Sequence, residues 1–496
     1  MALVIIESHS KVKKFAGYTG YKVIATGGHF RNIPVKGMNI NMETYEPVFA
    51  IMPGKEKDVA NLKKMAKGQT VFLATDPSRE GEAVAYFVEE EIRGLYKDIF
   101  RIDVREMTRL GISNALLRAI PFGGNKTGKF EAFLGRRVAD RLVGYIESPK
   151  ASRDLGIKGL SIGRVQTLVL GLVVEREREI REHRNSLYWQ VAIKVAKDGI
   201  DFDAFHSHGR FEDKTKAQKV ISKISDASYA VCKSVENITR HSNPRPPFTT
   251  ASLQMAASSS LGVSPDKTMR IAQDLFEHGL ITFPSTDSVL VVDEMVESIR
   301  NLITAEYGKE YVPGKPIKHI NKKSQADLHQ SIRPTSIFPL SVAKKWLMTE
   351  GLTTSNHILL YEMIWKRTVA SQMCPATHET TTAVLEVDGE VFKGVGRVQL
   401  SDGFLRLYCG EENDLQQKDD NGQLMPFLST NDLLAFRQEI LVEKTSKTPG
   451  RYSEAGLIER LESLGIGRHQ HMPLRSHQLQ KEGTWSQRSR CSCQQV

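Results

Sequence analysis

Long apolar runs are missing from this 496-residue chain. None approaches the roughly 20 residues that cross a bilayer as a helix, so no membrane partner is expected. The apolar start "ALVII" is cut off at Glu7 and no cleavage-site pattern follows, so it reads as a buried strand and not a signal peptide. The five cysteines, Cys232, Cys374, Cys409, Cys491 and Cys493, include no C-x-x-C pair. Neither a zinc ribbon nor a disulfide framework is suggested, and a reducing, cytoplasmic setting is expected. Internal repeats and low-complexity linkers are also absent. Acidic residues are in deficit: 58 Asp and Glu face 68 Lys and Arg, leaving a net charge of +10. An anionic partner is favoured, nucleic acid first. The length exceeds one ordinary core, so several domains are expected.

Two short apolar runs each end on a carboxylate. "LVII" (3–6) leads into Glu7, and "VFLAT" (71–75) leads into Asp76. In an open α/β sheet, functional groups collect at the carboxyl ends of strands. Two carboxylates there suit Mg²⁺, a hard cation that takes a few acidic oxygens. In the following "PSREGEAVAYFVEEEI", Ser78 is placed to cap a helix whose first turn carries Glu80 and Glu82. On that reading alone, the acids could equally be complementing a helix dipole.

The string "DPSREGEA" resembles the D-x-D-R-E-G-E signature of TOPRIM domains, with Ser78 where the second Asp stands. The missing charge predicts weaker Mg²⁺ binding than in that family. "LVIIESHSKVKKF", "ATGGHFRNIP" (25–34), "VREMTRLGISNAL" (104–116), "GRRVADRLVGYIESP" (135–149) and "LSIGRVQTLVLGLVVEREREI" (160–180) resemble, in order, segments of the bacterial type IA DNA topoisomerases. A TOPRIM nuclease or primase is disfavoured, because the strings after residue 104 belong to neither.

The segment 245–288 is nearly colinear with the one that leads into the type IA active site. Read from its residues, "PPFTTASLQMAASSSL" is a helix capped at Thr249 or Thr250, and Pro265 opens the next helix. On that second helix Gln273 and Glu277 share one face. The family continues T-Y-x-R-T-D-S, its tyrosine forming a 5′-phosphotyrosyl link to DNA and its arginine positioning the phosphate. This chain reads "TFPSTDS" (282–288). Phe283 stands at the tyrosine and cannot be a nucleophile. Ser285 stands at the arginine and cannot make its bidentate phosphate contact. "QADLHQSIRPTS" (325–336) resembles the family's A-H-E-A-I-R-P-T and supplies His329.

After "YSEAGLIERLESLGIGR" (452–468) the family pattern would continue P-S-T-Y-A, but the chain reads "HQHMP". The codons CAY-CAR-CAY-ATG-CCN, begun one base earlier with C, permit Pro-Ser-Thr-Tyr-Ala. "KEGTW" (481–485) in the same shifted frame permits another family string, K-R-G-Y-V. Residues 469–496 are therefore expected to be out-of-frame translation, and the coding DNA tests this.

The resemblance implies a multidomain α/β plus α+β protein: a Rossmann-like TOPRIM domain, then a toroidal type IA core that is C-terminally truncated. The expected divisions are 1–120 (TOPRIM), 121–185 and 448–468 (the two parts of a DNA-groove domain), 186–243 with 372–447 (a β-rich arch read as strands), and 244–371 (a helical domain). It implies relaxation of negatively supercoiled duplex through single-stranded segments, by a monomer, with Mg²⁺ and without ATP. The metal would lie at Glu7, Asp76 and Glu80. The catalytic set would be Glu7, Lys11, Glu277, His329 and the position of Phe283. DNA would meet His29, Arg136, Arg137, Asp140, Tyr145, Ser161, Arg164, Gln166 and Ser285. The alternative is a catalytically inactive DNA-binding relative or pseudogene product.

Overall fold

A computed structural model of the protein describes residues 2–123, 127–321, 330–408 and 423–466. His329 and the segment 469–496 lie outside the described residues. The chain opens with β1 (Ala2–Ile6), α1 (Ser10–Thr19), β2 (Lys22–Ala25), β3 (Arg31–Asn32), β4 (Ala50–Ile51), α2 (Glu56–Ala66), β5 (Thr70–Leu73), α3 (Arg79–Ile92), β6 (Asp98–Arg101), α4 (Arg109–Leu117) and β7 (Ile120–Pro121). Five of these strands form a sheet in the order β2-β1-β5-β6-β7. The first four run parallel and β7 runs antiparallel at the edge. Leu3, Val4, Ile5 and Ile6 are all buried, as a strand covered on both faces requires.

The alternation of β1 splits its side chains between two cores. Leu3 and Ile5 pack with Val59, Val84 and Phe87 of α2 and α3. Val4 and Ile6 join Phe15, Met107, Phe276 and Phe283 in a core shared with a helical region further along the chain. That region comprises α8 (Thr250–Leu261), α9 (Pro265–Glu277), α10 (Asp293–Glu306), α11 (Leu340–Thr349) and α12 (Ser355–Ala370), after the elements between residues 128 and 242. The first sheet and the helical region thus meet through one apolar interface.

Between them come two long helices, α5 (Gly128–Asp154) and α6 (Arg164–Glu182), then β8 (Leu187–Lys197), β9 (Ile200–His206), α7 (Lys214–Ile224) and β10 (Tyr229–Ser242). The chain ends its described part with β11 (Ala376–Val387), β12 (Glu390–Ser401), β13 (Leu433–Thr445) and α13 (Glu454–Ser463). Strands from the two separated segments close a barrel in the order β10-β11-β12-β9-β8-β13. The region read as strands from 186 to 243 therefore also holds a helix, α7. Ala217, Val220, Ile221 and Ile224 recur every three or four residues there, and all of them pack on the barrel core.

Phe130 and Phe133, near the start of α5, belong to the first domain's core. On α6, Val169 packs with Leu457 and Leu461 of α13. Arg176 of α6 lies 4.5 Å from the Tyr452 ring centre and donates to its hydroxyl at 3.1 Å. No helix among the described residues is long and apolar enough to cross a membrane.

Candidate active site

Glu7 directly follows β1, and Asp76 lies three residues beyond the end of β5. Parallel pairing of the two strands brings both acids to the same sheet edge. Ser78 caps α3, its hydroxyl accepting the Gly81 N–H at 3.0 Å. That bond uses the side chain in holding the helix start. Gly81 is required by space: a Cβ there would sit 2.1 Å from the Asp76 carbonyl oxygen and 2.8 Å from Glu7 Oε1.

Lys11, only 3% exposed, donates to Asp76 Oδ1 at 2.5 Å. Glu7 has one buried oxygen, Oε1, with no hydrogen-bond partner. Burial first, and then the Asp76 charge, push its carboxyl up from 4.5 to about 7. The native chain therefore keeps this proton after the unfolded chain has lost it. Its contribution to stability is complete below about pH 4.5 and is lost as pH rises through about 7. Thermal melts from pH ~5 to ~8 should show the parent losing stability relative to Glu7→Gln across that window. Parallel curves would contradict the assignment.

From the helical side, α9 presents Glu277. Its Oε2 accepts from the Ser8 hydroxyl at 3.4 Å and from the Ser10 hydroxyl. Its Oε1 accepts from Gln273 at 3.0 Å and lies 3.9 Å from Lys11 Nζ. Gly279 then turns the chain with φ +70°, so close to the first domain that a Cβ would meet the Met107 carbonyl oxygen at 2.4 Å.

The loop that follows is built by its hydroxyls. Thr282 Oγ1 donates to the Ser331 carbonyl at 2.7 Å, and Thr286 Oγ1 accepts the Ser288 N–H at 3.0 Å. Thr250 Oγ1 accepts the Thr286 N–H at 2.8 Å and faces the Pro284 carbonyl at 2.8 Å. These groups satisfy buried backbone. Thr250→Val should cost about 1–3 kcal/mol in chemical denaturation, because it strands those partners.

Phe283 sits at the centre, 6% exposed, edge-on to Phe276 with ring centres 5.4 Å apart. Its N–H donates to the Arg105 carbonyl at 3.0 Å, which ties the loop to the first domain. Ser285 is half-buried and Asp287 exposed.

Along α5 the structure assembles a second group. Arg136 pairs with Glu80 Oε1 at 2.7 Å, although Asp140, four residues on, shares its helix face. Asp140 pairs instead with Arg164 of α6 at 3.0 Å. Arg137 donates to Asn32, and burial, then the charges of Arg136 and Arg141, hold its guanidinium below the usual range. His29 stacks on Phe133 at 5.7 Å, and burial lowers it. Arg141 lies 4.4 Å from the Tyr145 ring centre, and the Tyr145 hydroxyl donates to the Val35 carbonyl. Ser161 is exposed and Gln166 half-buried.

The donors of the first group suit a cation. Glu7 Oε1 and Glu80 Oε2 are buried carboxylate oxygens without hydrogen-bond partners. As they stand, though, no three His, Cys, Asp or Glu side chains among the described residues converge on one point. Two side-chain cations, Lys11 and Arg136, hold Asp76 and Glu80 instead.

Sequence reasoning missed the contact that joins the two domains. Arg333, 2% exposed, pairs with Glu106 Oε1 at 2.7 Å and donates to the Pro334 carbonyl at 2.8 Å. Both residues lie in family-like strings, but 227 positions separate them and no local pattern links them.

Comparison with known proteins gives two family matches: a Toprim domain over residues 2–107 and a family described as DNA topoisomerase over residues 125–472. The chain is 35% identical to DNA topoisomerase 1 of Zymomonas mobilis, covering 94% of this chain and 39% of that protein. It is 34% identical to DNA topoisomerase 1 of Campylobacter jejuni, with shares of 94% and 67%. The same identity holds for DNA topoisomerase 1 of Aquifex aeolicus, with shares of 94% and 84%. The solved structure of full-length topoisomerase I from Thermotoga maritima superposes with a TM-score of 0.81 at 30% identity, over 97% of this chain and 78% of that one.

Proposed function

This chain belongs to the bacterial type IA DNA topoisomerase family, and from that membership we propose that it binds single-stranded DNA as a topoisomerase does but cannot cleave it. The activity from which it descends would be relaxation of negatively supercoiled DNA by transient single-strand cleavage and strand passage. One observation carries the reading: a buried phenyl ring, Phe283, fills the centre of a loop that is otherwise fully built.

A strand phosphate at this loop would find Glu7 and Lys11 from the first domain, with Glu277 completing the ionic cluster. Glu7, with its value near 7, could hold or release a proton at the sugar oxygen. Lys11 would hold the Asp76 side chain in place. Glu7, Asp76 and Glu80 would hold Mg²⁺, whose positive charge would favour binding of the phosphate. No side chain at position 283 supplies the oxygen that bonds to phosphorus. Ser285 is too short to stand in for a guanidinium on the phosphate.

The strand itself would lie along α5 and α6, where Arg137, Arg164, Gln166, Tyr145, Ser161 and His29 offer hydrogen bonds and flat faces. We also propose that the out-of-frame reading of 469–496 removes part of that groove. Fluorescence anisotropy with a labelled single-stranded oligonucleotide tests the binding half of this account. Saturable binding that weakens with salt is expected, and weakens further in Arg137→Ala with Arg164→Ala. Absence of binding in low salt would contradict it.

A further inference from the structure

We infer that Arg136 is a resident counter-ion of Glu80, and that a DNA phosphate draws it away, so that strand binding and Mg²⁺ binding reinforce each other. The inference rests on the reading that Glu7, Asp76 and Glu80 hold the metal and that α5 lies along the strand.

Arg136 is on a helix of the groove, yet its guanidinium reaches the first turn of α3 and pairs with Glu80 Oε1 at 2.7 Å. The other oxygen of that carboxylate, Oε2, is buried with no hydrogen-bond partner. One half of the group is thus neutralised from the groove while the other half faces inward unsatisfied. Neighbouring arginines of α5 have different tasks: Arg137 binds Asn32, and Arg141 donates to the Ile33 carbonyl at 3.0 Å. Among these three, Arg136 is the one paired with a carboxylate of the metal set.

Charge makes the consequence definite. Asp76 and Glu80 bring two negative charges, and Lys11 and Arg136 face them with two positive ones. With each acid held by its own side-chain cation, the site attracts a hydrated divalent cation weakly. Ser78 adds no charge, because its hydroxyl caps α3. If Arg136 leaves, the site gains one net negative charge and Glu80 becomes available in full. A phosphate is a competent lure, since guanidinium binds phosphate through two parallel hydrogen bonds. Arg136 and Glu80 are both partly exposed, at 21% and 28%, so the exchange opens no core.

Linkage requires that the factor by which the strand raises Mg²⁺ affinity equal the factor by which Mg²⁺ raises strand affinity. We expect that factor to be on the order of tenfold in the parent chain. The test uses calorimetric titration of Mg²⁺ onto the whole chain without DNA, and oligothymidine anisotropy with and without Mg²⁺ at fixed ionic strength. Arg136→Gln should bind Mg²⁺ about tenfold more tightly than the parent without DNA, and its oligothymidine affinity should no longer rise with Mg²⁺. Arg136→Lys, which keeps the charge, should bind Mg²⁺ without DNA as the parent does and guards against a folding artefact.

Equal Mg²⁺ affinity in the parent and Arg136→Gln, with binding abolished by Asp76→Asn, overturns this inference alone. Mg²⁺ binding that survives Asp76→Asn, or none in any variant, overturns the metal reading and this inference with it.

Discussion

Supercoiled plasmid incubated with this chain and Mg²⁺ should keep its linking number. Covalent strand cleavage needs an oxygen at the centre of the loop, and Phe283 offers carbon only. Loss of a nucleophile from an otherwise intact site lowers rates by about 10⁴-fold or more, which places relaxation below detection on an agarose gel. The surrounding loop gives no substitute. Thr282, Thr286 and Ser288 are buried and bonded to backbone. Ser285 is half-buried, and a serine there would hold phosphorus ångströms away from where a tyrosine would. Phe283→Tyr combined with Ser285→Arg should restore little, because the proposed out-of-frame reading of 469–496 leaves part of the proposed groove unrepaired. Relaxation by the double variant approaching that of an intact family member would show that the tail is dispensable.

Arg333→Met should be the most damaging single substitution for stability. The Arg333 guanidinium is desolvated, and burial lowers its basicity while Glu106 opposes that. It also holds the Gln330 side chain at 3.0 Å and the Pro334 carbonyl at 2.8 Å. Removing one member of such a buried pair leaves the other uncompensated, at about 3–5 kcal/mol. Urea denaturation followed by circular dichroism reads this directly. Arg333→Met paired with Glu106→Gln should recover part of the loss, since no charge is then stranded. A loss below about 1 kcal/mol in the single variant would mean that the pair is not desolvated in solution.

How far the sequence speaks depends on the distance between partners. The run into Glu7, the cap at Ser78, Pro265 at the start of α9 and the shared face of Gln273 and Glu277 are local, and each is found as its spacing suggests. Strand signals in 186–243 and 372–447 were legible, but closure of the barrel was not. Closure depends on Phe392, Lys393 and Gly394 meeting Ala204, Phe205 and His206, a pairing set by tertiary packing. Helix α7 lies inside the same stretch, and its helical spacing of Ala217, Val220, Ile221 and Ile224 is short enough to be overshadowed by the strands on either side of it.

In the candidate site, residue types were legible and partners were not. Arg136 and Asp140 share a face, yet each chooses an acid or base on another element, Glu80 and Arg164. Hydroxyl side chains cluster around Phe283 at Thr282, Ser285, Thr286 and Ser288. Burial shows that most of them are scaffolding for the loop.

The most direct measurement of the central claim is a covalent trap. A labelled single-stranded oligonucleotide is incubated with the chain and Mg²⁺, quenched with detergent and resolved by denaturing electrophoresis, with anisotropy run on the same mixture. The account predicts a bound strand by anisotropy and no label travelling with the protein after denaturation. A detergent-stable adduct that disappears in Phe283→Ala or Ser285→Ala would contradict it, since some residue of this loop would then be joining protein to phosphorus.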